Sequence, residues 1–185
     1  MLMKLTGMNM AIEHPPRTAM EVFKILPEGT LAEVIDNQIY MAASPFYKHQ
    51  QLIKTIVRKL SELIEDKGIG EICLSPLDVF LDEQSNAVQP DIIIVLEANK
   101  KIIDPNGHIH GVPDVLVEIL SAGNEYHDMV RKKNLYERFG VKEYWVVDPT
   151  TKVCQVFQWS SRGFQTVSEQ VNRIQSQLLN INFIF

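Results

Sequence analysis

The spacing of apolar and polar positions along the chain changes several times, and each change marks an element. Thr18 followed by Glu21 has the spacing of a helix-capping box, and Pro27-Glu28-Gly29 closes the short helix it opens. Leu31 to Asp36 and Gln38 to Ala42 then read as the strands of a hairpin, because Asp36-Asn37 tolerate the positive φ of a tight turn. After the hairpin the period lengthens. Ile53, Ile56, Val57, Leu60, Leu63 and Ile64 recur at the three-and-four spacing of one helical face. Ser44 is the expected cap of this long helix, with Pro45 at its first position and Gly68 just past its end.

Beyond the long helix, Glu71 to Leu81, Asp91 to Leu96 and Asp114 to Ser121 are rich in Val, Ile and Leu and are bounded by Pro and polar turns. They read as the strands at the centre of a sheet. A second helix runs from about Glu125 to Phe139 and ends at Gly140, and Glu143 to Val147 is a strand stopped by Asp148-Pro149. Lys152 to Trp159, Phe164 to Val167 and Leu178 to Phe185 are expected to complete the sheet. This order predicts an α+β fold in which helices flank a mixed β-sheet, with additional antiparallel strands in the N- and C-terminal parts. At 185 residues the chain is expected to form one domain spanning 1–185.

Composition narrows the function classes. Hydrophobic residues are 45% and charged residues 22%, with no repeat or low-complexity tract, which is the balance of a globular chain. No apolar run approaches the roughly twenty residues of a membrane helix, and Met1 to Arg17 lacks the pattern of a signal peptide. A cytoplasmic protein with no membrane partner is therefore expected. Cys73 and Cys154 each sit inside an apolar run without metal-ligand spacing, so neither a zinc site nor thiol catalysis is expected. Gly163 is isolated and Ser121 lacks flanking glycines, which leaves no phosphate-cradling loop and no nucleophile elbow. A net charge of −5 argues against a dedicated duplex binder, since phosphate contacts need Lys or Arg. Local basic faces and a divalent metal at the centre would offset part of that repulsion.

Glu118 carries the most information, because it lies mid-strand in Val115-Leu116-Val117-Glu118-Ile119-Leu120, a run apolar on both faces. A carboxylate there must be paired, metal-bound or protonated. A structural salt bridge is the plainer alternative. Asp91 begins a similar strand just after Pro90, which sets its carboxylate at the sheet end; standing alone it would read as a turn aspartate. At roughly 100° per residue, Lys132 points into the arc of Met129, Leu135, Tyr136 and Phe139, with Lys133 on its flank and Arg131 and Arg138 turned to solvent. An inward lysine needs an anionic partner, or else its stem covers the core and its head snorkels out. Glu33 alternates with Leu31 and Ile35 and is a further candidate inward acid. Asp114 shares the strand face of Glu118 but stands on the order of 13 Å from it, and reads as structural. His49 is expected to be a packing histidine with a supporting role at most, and Tyr144 and Trp145 to be packing aromatics.

Taken together, Leu31 to Asn37, Gln89-Pro90-Asp91, Val112 to Ser121, Lys132 to Tyr136 and Gly140 to Pro149 resemble the Uma-type putative restriction endonucleases, over a span from about Leu31 to Phe157. That resemblance implies the PD-(D/E)xK nuclease fold, with Asp and Glu on neighbouring strands binding magnesium or manganese. In its pattern Asp91 is the first acid and Glu118 the second. The simple motif puts its lysine two residues after the glutamate, where this chain has Leu120; the resemblance places the lysine at Lys132 instead, the position that periodicity turns inward. Asn37 stands where such proteins commonly have a hairpin glycine.

The expectation that follows is an Mg²⁺- or Mn²⁺-dependent endonuclease acting on nucleic acid, with DNA as the expected substrate. Asp91, Glu118 and the Ile119 carbonyl would hold the metal, Lys132 would orient the attacking water, and Glu33 would complete the shell or tune the lysine. A homodimer is expected, because cutting both strands of a duplex needs two centres. The rival is a non-catalytic module that keeps the nuclease fold to bind nucleic acid or protein. A third reading, a self-associating structural protein, rests on the apolar Ile181 to Phe185 segment as a pairing edge.

Overall fold

The computed structural model describes residues 15–121, 123 and 125–185. Thr18 accepts from the Glu21 amide while the Glu21 carboxylate reaches back to the Thr18 amide, and this reciprocal cap opens α1 (Ala19–Phe23). Asp36 and Asn37 adopt φ of +50° and +57° and fold β1 (Ala32–Ile35) back onto β2 (Gln38–Met41), the turn that their chemistry predicts. The long helix α2 (Tyr47–Leu60) starts later than the expected cap at Ser44. Phe46 takes the capping position and no side chain caps the first turn. The reason is burial: the chain from Met41 to Lys48 is exposed, and the stripe that ties the helix to the core begins only at His49 and Leu52. The helix continues through a π-helical turn over Ser61–Glu65, and Gly68 follows with φ +65°.

The expected strand from Glu71 to Leu81 is two strands in different sheets. Pro76 divides β3 (Gly70–Leu74) from β4 (Val79–Asp82), since it has no N–H to donate to a ladder. Two short strands, β5 (Asn86–Val88) and β7 (Ile109–His110), have too few residues to show a period in the sequence. The remaining elements are β6 (Ile92–Leu96), β8 (Val115–Ile119), a π-helical turn over His127–Lys132 leading into α3 (Lys133–Phe139), then β9 (Glu143–Val147), β10 (Val153–Ser160), β11 (Gly163–Val171), β12 (Arg173–Ser176) and β13 (Ile181–Ile184).

Six strands make the central sheet in the order β11-β10-β9-β8-β6-β3. Among the described residues of this sheet only β8 and β9 run parallel, and the helix between them makes the crossover. A second sheet, β2-β1-β5-β4-β7, carries the N-terminal hairpin. The C-terminal run does not complete the central sheet: β13 pairs with β12 as a separate ribbon, because Ile181 and Phe183 alternate inward with Ile174 to join the core under α2.

The apolar runs at β6, β8 and β9 are explained by a sheet covered on both faces. Ile92, Ile94, Val115, Val117 and Trp145 meet the α2 stripe and the ribbon. Ile93, Val95, Leu116, Tyr144 and Val146 meet Leu135 and Tyr136 of α3 and Ile35, Val79 and Val88 of the second sheet. Tyr144 and Trp145 are fully buried packing residues, and burial pushes the Cys154 thiol up to about 12. The fold is the α+β arrangement expected, a mixed sheet flanked by helices with antiparallel additions at either end.

Candidate active site

The seam between the two sheets gathers the acids. Ile92 pairs with Val117, so continuing the antiparallel register by one residue sets Asp91 beside Glu118. Asp91 Oδ2 accepts the Ile119 amide at 2.8 Å and lies 3.0 Å from His49 Nε2, which ties the end of β6 to both β8 and α2. Glu118 shares the face of Leu116 and so points at the helix that crosses over it. From that helix Lys132 brings its ammonium to 2.8 Å from Glu118 Oε1 and 2.8 Å from Glu33 Oε1, with Asp128 Oδ1 at 3.8 Å. The Tyr136 hydroxyl donates to Glu118 Oε1 at 3.2 Å, and the Gln89 amide donates to Glu33 Oε1 at 2.8 Å.

His127 closes the ring, with Nε2 2.9 Å from Glu33 Oε2 and Nδ1 2.7 Å from an Arg131 guanidinium nitrogen. A guanidinium only donates, so Nδ1 accepts and the proton sits on Nε2, donated to Glu33.

Asp91, Glu118, Lys132, Glu33 and the Ile119 backbone thus come together, and His49 joins them through Asp91. Asp114 does not. It is buried elsewhere, accepting the Leu96 amide at 2.8 Å, the Asn99 amide group at 3.2 Å and the Lys142 ammonium at 2.6 Å. Arg131, expected in solvent, instead lines the cleft, because the π-helical turn from His127 to Lys132 departs from the 100° step on which that expectation rests. Asp128 and His127 were not foreseen. The four-residue spacing of Asp128 and Lys132 was the available signal, for it sets both on one helical face.

Burial alone would raise the Glu33 carboxyl, but Lys132 and hydrogen bonds from His127, Lys132 and the Gln89 amide hold it down at about 2. Burial likewise opposes the charge of Lys132, yet Glu118, Glu33 and Asp128 keep it firmly protonated. Glu118 goes the other way: burial lifts it well above the ordinary carboxylate range, Lys132 opposes, and Asp128, Asp91 and Glu33 add to the rise. Burial also raises Asp128 to about 6 against the pull of Lys132. For His49, burial disfavours the charged ring, but the hydrogen bond and charge of Asp91, with smaller contributions from the Ile119 backbone and Asp128, raise it above 6.5. The cluster therefore holds more carboxylate than its one lysine can neutralise, an arrangement relieved by protons or by a cation.

Among the described residues no three His, Cys, Asp or Glu side chains converge as a ready-made metal cage. A magnesium-like ion does not require one, since it binds through one or two carboxylates and keeps several waters or substrate oxygens. Asp91 and Glu118 fit that requirement. Each spends one oxygen on bonds within the protein, and among the described residues neither Asp91 Oδ1 nor Glu118 Oε2 is hydrogen-bonded. Both residues line one cleft of about 480 Å³, shared with Glu33, Tyr40, His49, Asp128 and Arg131. A separate hollow of about 440 Å³ around Phe80, His108 and His110 shares none of its residues. Among the described residues no helix is long and apolar enough to cross a membrane.

A crystal structure of a putative nuclease belonging to DUF820, from Anabaena variabilis, is similar to this chain, with a TM-score of 0.71 at 19% identity over 89% of this chain and 92% of that one. That likeness establishes a shared fold. No curated protein matches the sequence. The family model of the Uma2 putative restriction endonucleases matches residues 20–183, a span that contains both sheets and every member of the acid–lysine cluster. The chain belongs to the Uma2 family of putative restriction endonucleases.

Proposed function

We propose that this cleft is the active centre of a metal-dependent endonuclease that hydrolyses phosphodiester bonds in DNA. The observation that carries the reading is the surplus of buried carboxylate around a permanently charged lysine on the wall of an open cleft. Asp91, Glu118 and the Ile119 carbonyl are the residues that would hold Mg²⁺ or Mn²⁺. Such an ion, when bound, polarises the scissile phosphoryl group and lowers the pKa of a water.

The chain's own groups have distinct tasks in this reading. His49 and the Ile119 amide fix one Asp91 oxygen and leave the other facing the cleft. Lys132 commits two of its three N–H donors to Glu33 and Glu118. Among the described residues its nearest further acid, Asp128, is 3.8 Å away, too far for a hydrogen bond, which leaves the third donor for the attacking water or a phosphoryl oxygen. Glu33, ionised at any working pH, keeps that ammonium charged and aimed. Among the described residues one chain carries one such centre, so a dimer, which sedimentation would detect, is called for only where both strands of a duplex are cut.

The test is Mg²⁺- or Mn²⁺-dependent cutting of plasmid and single-stranded circular DNA by the wild type, Asp91→Ala and Lys132→Ala. Activity lost in both variants is the expected result; wild-type cutting retained by either overturns the assignment. The rival, a non-catalytic binding module, draws on the absence of a ready-made metal cage among the described residues. A wild type that binds nucleic acid but neither metal would establish the rival instead.

A further inference from the structure

The four large apolar side chains most open to solvent among those described cluster at this cleft. Met41 is 68% exposed, Phe46 74%, Tyr47 75% and Tyr126 67%. Met41, Phe46 and Tyr126 line the cleft, and Tyr47 follows Phe46 at the start of α2. They come from three separate stretches of chain, the end of β2, the entry to α2 and the entry to the π-helical turn. None belongs to a core cluster. An apolar rim that packing does not need, around a cleft with convergent polar groups, marks a binding surface.

The charges narrow what binds there. Among the described residues the acids lining the cleft are Glu33, Asp91, Glu118 and Asp128, while its Lys and Arg residues are Lys132, buried among those acids, and Arg131. Arg131 is itself stacked, 4.3 Å over the Tyr40 ring and 5.7 Å from the Tyr126 ring. A duplex is gripped chiefly through its phosphates and presents its bases paired and stacked inside. Against this rim it would meet one available cation and a set of rings with no faces to stack on. An unpaired strand presents base faces, and aromatic side chains with a neighbouring Arg are the surface on which such bases stack irrespective of sequence.

We infer that the cleft takes its nucleic acid as an unpaired strand, with bases stacked on Phe46 and Tyr126 beside the acid–lysine centre. This rests on the reading of the cleft as a nucleic-acid site. Because the rim is continuous with that site, the stacked bases hold the backbone over Asp91 and Glu118, and the energy missing from phosphate contacts comes from the rings.

The experiment is fluorescence anisotropy with Ca²⁺ as the divalent ion, using a labelled DNA strand of about twelve nucleotides. Its blunt duplex and an abasic strand of the same length serve as competitors for comparison. The proteins are the wild type, Asp91→Ala and the double variant Phe46→Ala/Tyr126→Ala, whose exposed rings leave the core untouched. The wild type should bind the base-bearing strand about tenfold or more tighter than either the duplex or the abasic strand, and the double variant should lose that advantage. Affinity for the abasic strand should not change, and the salt dependence should be shallow, near that of one or two phosphate contacts. Duplex bound as tightly as single strand, or a double variant with unaltered strand affinity, overturns the inference. So does a rim occupied by a second copy, seen as a dimer that the double variant dissociates without losing strand affinity. The two readings fail separately. Rim-dependent strand binding without any metal-dependent cutting removes the nuclease and keeps the strand, whereas cutting of duplex DNA indifferent to the double variant does the reverse.

Discussion

Lys132→Met isolates the electrostatics of the site. Methionine keeps most of the volume of the stem but deletes an ammonium that lies 2.8 Å from two carboxylates, leaving Glu33 and Glu118 buried without their counter-charge. Removing one partner of a buried ion pair costs about 3–5 kcal/mol, a large part of the roughly 5–15 kcal/mol that holds a domain together. Glu33 gives a second route to the magnitude. Its carboxyl is lowered from 4.5 to about 2, and at about 1.4 kcal/mol per unit this corresponds to roughly 3 kcal/mol of stabilisation. The sign follows from the direction of the shift. A depressed carboxyl stabilises the fold above its unfolded value of 4.5, and that contribution is lost as pH falls towards 2. In the variant, burial acts on Glu33 with only the His127 and Gln89 hydrogen bonds left to oppose it, and its pKa rises. The penalty of the substitution is then greatest at pH 8, where the buried acids are forced to ionise, and shrinks towards pH 5 as they take up protons. Urea unfolding in EDTA at pH 5 and pH 8 measures both values. A penalty below about 1 kcal/mol, or one equal at the two pH values, would refute the reasoning.

His49→Ala removes the imidazole from Asp91 Oδ2 and should weaken Mn²⁺ affinity tenfold or more with little change in thermal midpoint, while His49→Gln should restore part of the affinity. An affinity unchanged in His49→Ala would show that the histidine only packs. Glu143 is fully buried and accepts from the Trp145 indole N–H at 2.8 Å, the Ser176 hydroxyl at 2.7 Å and the Leu178 amide at 3.0 Å. Glu143→Ala strands these three donors and should cost on the order of 3 kcal/mol or more in chemical unfolding, loosening the β12–β13 ribbon first; amide exchange no faster in the ribbon than elsewhere would contradict this.

Much of this architecture is written in local patterns, and the places where it is not have physical causes. The α2 stripe, the Asp36-Asn37 turn and the apolar runs of β6, β8 and β9 each follow from burial or backbone preference within a few residues. The inward Lys132 was also legible, because an ammonium amid apolar positions demands an anion. Strand membership was not: the run from Glu71 to Leu81 has one composition but serves two sheets, and only Pro76 marks the division. Arg131 was misplaced because a regular helical step cannot anticipate a π-helical turn. The bonds from His127 to Glu33 and from His49 to Asp91 join residues far apart in the chain, and no local period encodes such pairs.

The most direct measurement is calorimetric titration of Mg²⁺ and Mn²⁺ into the wild type and Asp91→Ala, with DNA cutting followed on the same preparations. The predicted result is metal binding by the wild type that Asp91→Ala abolishes, together with cutting that needs the metal and disappears in the variant. A wild type that binds neither metal, or an Asp91→Ala variant that binds and cuts like the wild type, would contradict an active centre built on Asp91, Glu118 and Lys132.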